Sequence, residues 1–362
     1  MTGHRIGRRP DQPDRLHDPA RDHALLIALA RRLRDAGCFA RCDRQYARRL
    51  ALLVPAFAAC FAALLAASPG PAWAVLIVAT GFVSVQLGIV SHDAGHRAVD
   101  RRRGWNDLWG HAGMTLACGL SFSHWRIVHD AHHRHSQDEL LDPDMQYAVA
   151  FSVHARGAAE KRGVARALRP FQHLYFWPLG ALYSWSLRCD SIARLFRDPA
   201  HTRVDRWVLP GHYALWLIGP ALIVGPAAAI ASYALVSTVI GLYLVAIFAP
   251  NHMGMPSRRA GERWSYLEQQ IVTSRDLTVG PVLSIVLGGL EHQIEHHLFP
   301  NIGQPRLAAA RAIVTAFCAE HGLPHREVGF LAAHRAVVGQ LQAMARLPVP
   351  ATYPREEEEG RS

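Results

Sequence analysis

The sequence predicts an all-α integral membrane protein: four transmembrane helices, paired as two hairpins, under a helical cytosolic cap that carries a His-rich two-metal site. Three observations predict it. Half of the 362 residues are hydrophobic while mean hydropathy is only +0.04, so apolar and charged residues are segregated along the chain. Four uncharged runs each approach the roughly 20 residues needed to cross a bilayer. Several of the 22 histidines gather in short clusters; one of these, HDAGH, begins where the second run ends, and His252 follows the fourth.

Taken in order, residues 1–49 form an Arg-rich segment expected in the cytosol. Its first 23 residues are rich in Arg, Asp and Pro and lack the apolar core of a signal peptide, which predicts a disordered start. The first apolar run is Leu50 to Ala67, interrupted only by Pro55. After the turn SPGPA comes Trp73 to Ser91. Leu108 to Phe122 is too short to span and contains His111. Phe171 to Leu187 is rich in Trp and Tyr. Both fit helices lying at the membrane interface or re-entrant into it. The second pair of runs is Trp207 to Val224 and Ala227 to Ala249, joined by Gly225 and Pro226. Residues 50–347 therefore read as one membrane domain, and 348–362 as an acidic disordered tail.

Charge sets the orientation. The net charge is +10, and Lys161 is the only lysine. Neither hairpin turn carries a Lys or Arg: 12 precede Leu50, 16 lie between His92 and Arg206, and 11 follow from Asn251. The positive-inside rule places those three segments, and both termini, in the cytoplasm. A basic face against a membrane attracts anionic headgroups or an acidic protein partner, and no nucleic acid is expected. The six cysteines show no C-x-x-C pair, and Cys60 and Cys118 sit in apolar runs, so reduced thiols are expected.

The histidine clusters carry the chemistry. In GLEHQIEHHLFP, Gly289 to Pro300, about 100° per residue puts Gln293, His296 and His297 on one flank of a helix. Leu290, Ile294 and Leu298 take the other. HDAGH places His92 and His96 at i, i+4. HDAHH repeats the pattern with His129, His132 and His133, and His252 follows the fourth run in APNHMG. Every cluster falls at the same membrane boundary. Eight imidazoles exceed the coordination of one ion, so two metals are implied, and neutral imidazole suits iron, copper, nickel or zinc. By geometry alone His292 with His296 is as good a pair as Gln293 with His297. Asp93, Asp130 and Glu295 could each hold the free N–H of a ligand histidine. Asn251, beside His252, is a further candidate. His111, His124, His135, His154, His173, His212, His321 and His325 read as ordinary core or surface residues.

As a set, HDAGH, HDAHH and QIEHHLFP, with NHMG before the last, resemble the membrane fatty acid desaturases. The nearest types are the bacterial acyl desaturases and the front-end type, whose third box begins with Gln. DPDM, TSRDL and AFCAEHGLP extend the resemblance over about His92 to Leu347. It implies a non-haem di-iron centre held by His92, His96, His129, His132, His133, His252, His296 and His297. It also implies O2 as co-substrate and a long acyl chain, carried on CoA, a carrier protein or a lipid, that gains a cis double bond. The family pattern aligns Gln293 with the first position of the third box and leaves His292 outside. No H-P-G-G signature of a fused cytochrome b5 occurs, so an external ferredoxin or cytochrome b5 with its reductase is expected, in a bacterial inner membrane. The alternatives are a di-iron hydroxylase of the same superfamily, which prefers H-x-x-x-H-H in the second box, and a His-rich metal-binding or transport protein. The last would want polar ligands inside the spanning runs, and these hold no charge and only His212. Gly110, Gly113, Gly119, Gly288 and Gly289 are candidates for lining an acyl tunnel.

Overall fold

In the computed structural model, which describes residues 19–146, 149–259 and 261–347, helices dominate. Helix α1 (Pro19–Asp35) precedes the long pair α2 (Asp43–Ala66) and α3 (Pro71–Gly95). Helix α4 (Arg103–Gly110) runs on as a π-helical stretch, His111–Ala117, and α5 is Phe122–His135. Short helices α6 (Pro143–Gln146), α7 (Ala155–Glu160) and α8 (Gly163–Leu168) lead to α9 (Gln172–Leu179) and α10 (Tyr183–Arg197). The third long rod is α11 (Asp205–Tyr213), continued through π-helical Ala214–Ile218 into α12 (Gly219–Val224). Helix α13 (Pro226–His252) returns beside it. The remainder is α14 (Tyr266–Val272), α15 (Pro281–Leu287), α16 (Gln293–Leu298), α17 (Gln304–His321) and α18 (Phe330–Arg346). To the expected helical architecture the structure adds one short parallel ladder, β1 (Asp276–Thr278) with β2 (Glu327–Gly329).

Among the described residues, four rods are long and apolar enough to cross a membrane: α2, α3, α11 through α12, and α13. They form the two expected hairpins, and Pro71 and Pro226 open α3 and α13 at positions where the missing N–H costs nothing. The helices outrun their uncharged stretches. At 1.5 Å per residue α3 is about 37 Å long, against a hydrocarbon core of about 30 Å. Its last turn, with His92, therefore stands beyond the apolar layer on the same rigid rod.

Burial distinguishes the rods. Leu52, Val75, Trp207, Leu222 and Ile230 are exposed, and a continuous apolar exterior of this kind is what lipid solvates. Helices α3 and α13 lie inside, where Val85, Ile89, Val236, Ile240 and Ile247 share a core with Leu287 and Leu290. A second core fills the cap. Leu29 and Leu33 of α1 meet Leu267, Ile271, Ile294, Leu298, Val314 and Phe317. The apolar flank read from the third box is thus split, Leu290 serving the membrane-side core and Ile294 and Leu298 the cap.

Residues 19–23, expected to be disordered, are already helical in α1, and the expectations for residues 1–18 and 348–362 lie outside the described residues. Neither short apolar stretch forms a spanning rod. Leu108 to Phe122 passes through the π-helical stretch, where Gly113 lies so close to α3 that a Cβ would sit 2.5 Å from the Leu87 carbonyl oxygen. Phe171 to Leu187 is broken into α9, a 3-10 turn and α10, with Gly180 against Val245 of α13.

The hairpins predict a labelling pattern. In a Cys189→Ser background, single cysteines at Ser68 and Ala227 should react with an impermeant maleimide from one side of the membrane. Cysteines at Arg101 and Arg259 should react from the other. One-sided labelling of all four would rule out the paired hairpins.

Candidate metal centre

Four elements deliver the box histidines. His92 sits in the last turn of α3 and His96 caps it; α5 carries His129, His132 and His133; His252 ends α13; α16 carries His296 and His297. They assemble into two groups. His92, His96, His129, His133 and His296 form one, and His132, His252 and His297 the other; within each, the candidate donor atoms all lie within 4.8 Å of one another. The ring centroids of His92 and His296 are 4.6 Å apart, those of His252 and His297 also 4.6 Å, and His133 stacks on His297 at 4.3 Å across the boundary.

Helical phase explains the division. Consecutive residues point about 100° apart. His132 and His133 therefore face different groups, and so do His296 and His297. Gly95, inside HDAGH, lets the second-box helix approach: a Cβ there would lie 2.8 Å from the Trp125 ring, and Trp125 stacks on His129 at 4.5 Å.

The outer ring nitrogens are tied down. His92 Nδ1 is 3.1 Å from Asp93 Oδ1, and Asp93 Oδ2 accepts from the Tyr46 hydroxyl at 2.6 Å. His132 Nδ1 meets Asp142 at 2.9 Å, His252 Nδ1 the Thr273 carbonyl at 3.0 Å, and His297 Nδ1 the Gln270 side-chain oxygen at 2.9 Å. A ring that donates through Nδ1 keeps a lone pair on Nε2, the form a metal needs. Burial, reinforced by neighbouring imidazoles, pushes His129, His133, His296 and His297 well below the usual histidine range, and burial with His92 does the same to His96. At His132 burial lowers the pKa, but Asp142 and Asp144 outweigh it and bring it to about 9.

Five ring nitrogens of the box histidines are orphans. Nε2 of His92, His96, His296 and His297 and Nδ1 of His133 are buried without a hydrogen-bond partner. Each such group costs about 1–3 kcal/mol, so five cost roughly 5–15 kcal/mol. That rivals the whole net stability of a domain. All-nitrogen donor sets of neutral imidazole fit first-row transition ions, and the two groups could hold one ion each.

A family sequence model, "Fatty acid desaturase", matches residues 69–329. The chain belongs to the fatty acid desaturase family. Among similar proteins are the acyl-lipid (9-3)-desaturase of Physcomitrium patens, 28% identical over 273 residues, covering 72% of this chain and 51% of that protein. A Delta 8-(E)-sphingolipid desaturase of Kluyveromyces lactis is 25% identical over 298 residues (76% and 51%), and an acyl-lipid 8-desaturase of Rebecca salina is 28% identical over 314 residues (81% and 68%). The chain spans about half the length of the first two. Four apolar rods in a member of this family make it an integral membrane protein.

Around these two histidine groups the remaining candidates fall unevenly. Gln293 joins the three-histidine group: its Nε2 is 3.0 Å from His252 Nε2, and its Oε1 accepts from Asn251 Nδ2 at 3.1 Å. His292 belongs to neither group and lies 3.9 Å from Glu291. Asp93 supports His92, as its position in the box suggested. Asp130 bonds no box histidine; burial raises its pKa while Arg126 and Arg134 oppose the shift. Glu295 faces away from both groups, toward Asp276 and His325. His111 pairs with Asp205, His124 with Asp190, and His154 caps α7, while His212 bridges the Leu116 carbonyl and the Tyr233 hydroxyl. Every glycine proposed for a tunnel has an atom of a packed neighbour less than 3 Å from where its Cβ would stand, so each marks a close contact on that side. Asp142, Gln270 and Thr273 went unrecognised in sequence. Only Asp142, within DPDM, carried a signal, since it follows the second box by a short turn.

If these outer partners orient the ligands, Asp142→Asn and Gln270→Ala should each weaken transition-metal binding roughly 10–100-fold in chelator competition. Asp130→Asn should leave it unchanged, and equal losses from all three would mean that the effect is global.

Proposed function

We propose that this chain is an O2-dependent fatty acyl desaturase that places a cis double bond in a long acyl chain at a pair of iron ions. The observation that carries the reading is the pair of largely buried imidazole groups, five in one and three plus Gln293 in the other, where the ends of α3 and α13 meet α5 and α16. The balanced change removes two hydrogens from adjacent methylenes, and O2 with two electrons and two protons leaves as two waters. Bound iron would supply the oxidising power that side chains lack for an unactivated C–H bond.

The protein's own contribution is arrangement. His92, His96, His129, His133 and His296 would hold one ion, and His132, His252 and His297, with Gln293 at the remaining corner, the other. Asp93, Asp142, Gln270 and the Thr273 carbonyl hold the rings in one tautomer and one orientation. Burial excludes water from a site that must survive a strong oxidant. The substrate would be a long acyl chain entering from the lipid side, a reading supported by acyl-lipid and sphingolipid desaturases among the similar proteins. Electrons would come from an external ferredoxin or cytochrome b5 with its reductase, drawn to the Arg-rich face. By the positive-inside rule that face would lie in the cytoplasm, and the membrane would be a bacterial inner membrane. The H-x-x-H-H spacing of the second box favours desaturation over hydroxylation.

Expression in a host lacking the activity, followed by gas chromatography–mass spectrometry of total fatty acids, should reveal a new unsaturated species. A hydroxylated product would replace this reading by oxygen insertion. The purified protein, loaded anaerobically, should hold about two irons per chain. His296→Ala and His297→Ala should each abolish the product while the protein still inserts. Gln293→His should retain measurable activity, and His292→Ala should cost little. Loss with His292→Ala beside a harmless Gln293→Ala would shift the third box by one residue.

A further inference from the structure

Behind the third box, on the flank of α16 opposite its two histidines, lies a second cluster outside the centre just described. Asp276 of β1, Glu295 of α16 and His325, just before β2, bring their donor atoms within 4.8 Å of one another. His325 Nε2 is 3.4 Å from Asp276 Oδ2 and 3.7 Å from Glu295 Oε1, and the Thr315 hydroxyl lies 3.4 Å from the same nitrogen. Asp276 and Glu295 are fully buried. Asp276 Oδ1 accepts from the Ile294 backbone N–H at 3.0 Å, so one side of this carboxylate is in use. Its Oδ2 and both oxygens of Glu295 have no hydrogen-bond partner.

Three buried carboxylate oxygens without a hydrogen-bond partner thus face one imidazole. A buried carboxylate without compensation costs several kcal/mol, and two side by side also repel. Arg311 is the nearest cation, 3.4 Å from Asp276 Oδ2, but it is also ion-paired with Glu327 and donates to the Leu277 carbonyl. With Arg311 shared with Glu327, the charge left to offset the two carboxylates is that of His325: burial lowers its pKa, but Asp276 and Glu295 outweigh it and bring it to about 9. A divalent ion would balance them with a neutral imidazole. Its size also suits the gaps: donors about 2.0–2.2 Å from a shared ion lie roughly 3–4 Å apart.

We propose that Asp276, Glu295 and His325 form a third, structural cation site for a divalent first-row transition ion. Glu295 Oε2 offers a fourth donor, so the site closes without solvent, as structural sites do. The ion would tie α16 to the β1–β2 ladder. The ladder and α16 would then seat the third box from behind, independently of what its histidines bind.

The test uses the full-length protein in detergent, stripped of metal and titrated with Zn2+, with bound metal counted after desalting. Wild type should bind three equivalents, and His325→Ala and Glu295→Gln two each. X-ray absorption of the equivalent that the variants lose should show a shell of oxygens with a single imidazole, and zinc should raise the wild-type melting temperature more than that of either variant. Equal stoichiometry in all three proteins, together with a protonated-carboxyl C=O band that Glu295→Gln removes, would overturn the proposal: a shared proton would then hold the pair together. One equivalent in wild type and none in the variants would keep this site and remove the two-metal reading of the histidines. Two equivalents in every form would do the reverse. Should His325→Ala fail to accumulate, the near-isosteric Glu295→Gln carries the comparison.

Discussion

The structure depends on one costly requirement: five imidazole nitrogens must be kept dry, unpaired and converging. Nothing about that arrangement is stable by itself, since each orphan lone pair opposes folding. Two hydrophobic cores enforce it. The packing of α3 on α13 fixes where His92 and His252 emerge, and the cap core of α1, α14 and α17 fixes the angle of α16. Hydrogen bonds to the outer ring nitrogens then remove the remaining rotational freedom. Polar strain at the centre is balanced by apolar packing on both sides of it.

The boxes and the spanning runs were legible because both are local. Apolar length and His spacing sit within windows of twenty residues or fewer, and the doublets at 132–133 and 296–297 already encode two directions from one helix. The register of the third box was ambiguous for the same reason. Local geometry treats Gln293 and His292 alike, and only Asn251 and His252, about forty residues away, distinguish them. The outer partners were illegible because each is a long-range contact. Gln270 reaches His297 from another helix, and Thr273 acts through its backbone carbonyl, which no side-chain pattern records.

Glu295 shows the converse error. Its place inside a histidine box suggested service to the metal ligands, yet helical phase turns it to the opposite flank. There it meets Asp276 and His325, the latter read as an ordinary histidine. The ladder that brings Asp276 and His325 together is three residues long, too short for any periodicity to announce. Similarly, the short apolar stretches were recognised as unusual, but not that a π-helical segment would carry one of them along α3.

The paired histidines have a geometric consequence. Neighbouring Cα atoms across a trans peptide are fixed about 3.8 Å apart. The five-ring and three-ring groups are joined by two such links, one in α5 and one in α16. The backbone anchors of the two groups are therefore held together at two places by the covalent chain, as by a pair of rulers. Inserting a single residue into either doublet would turn one imidazole by about 100° and dismantle the pairing while leaving every box histidine in the sequence.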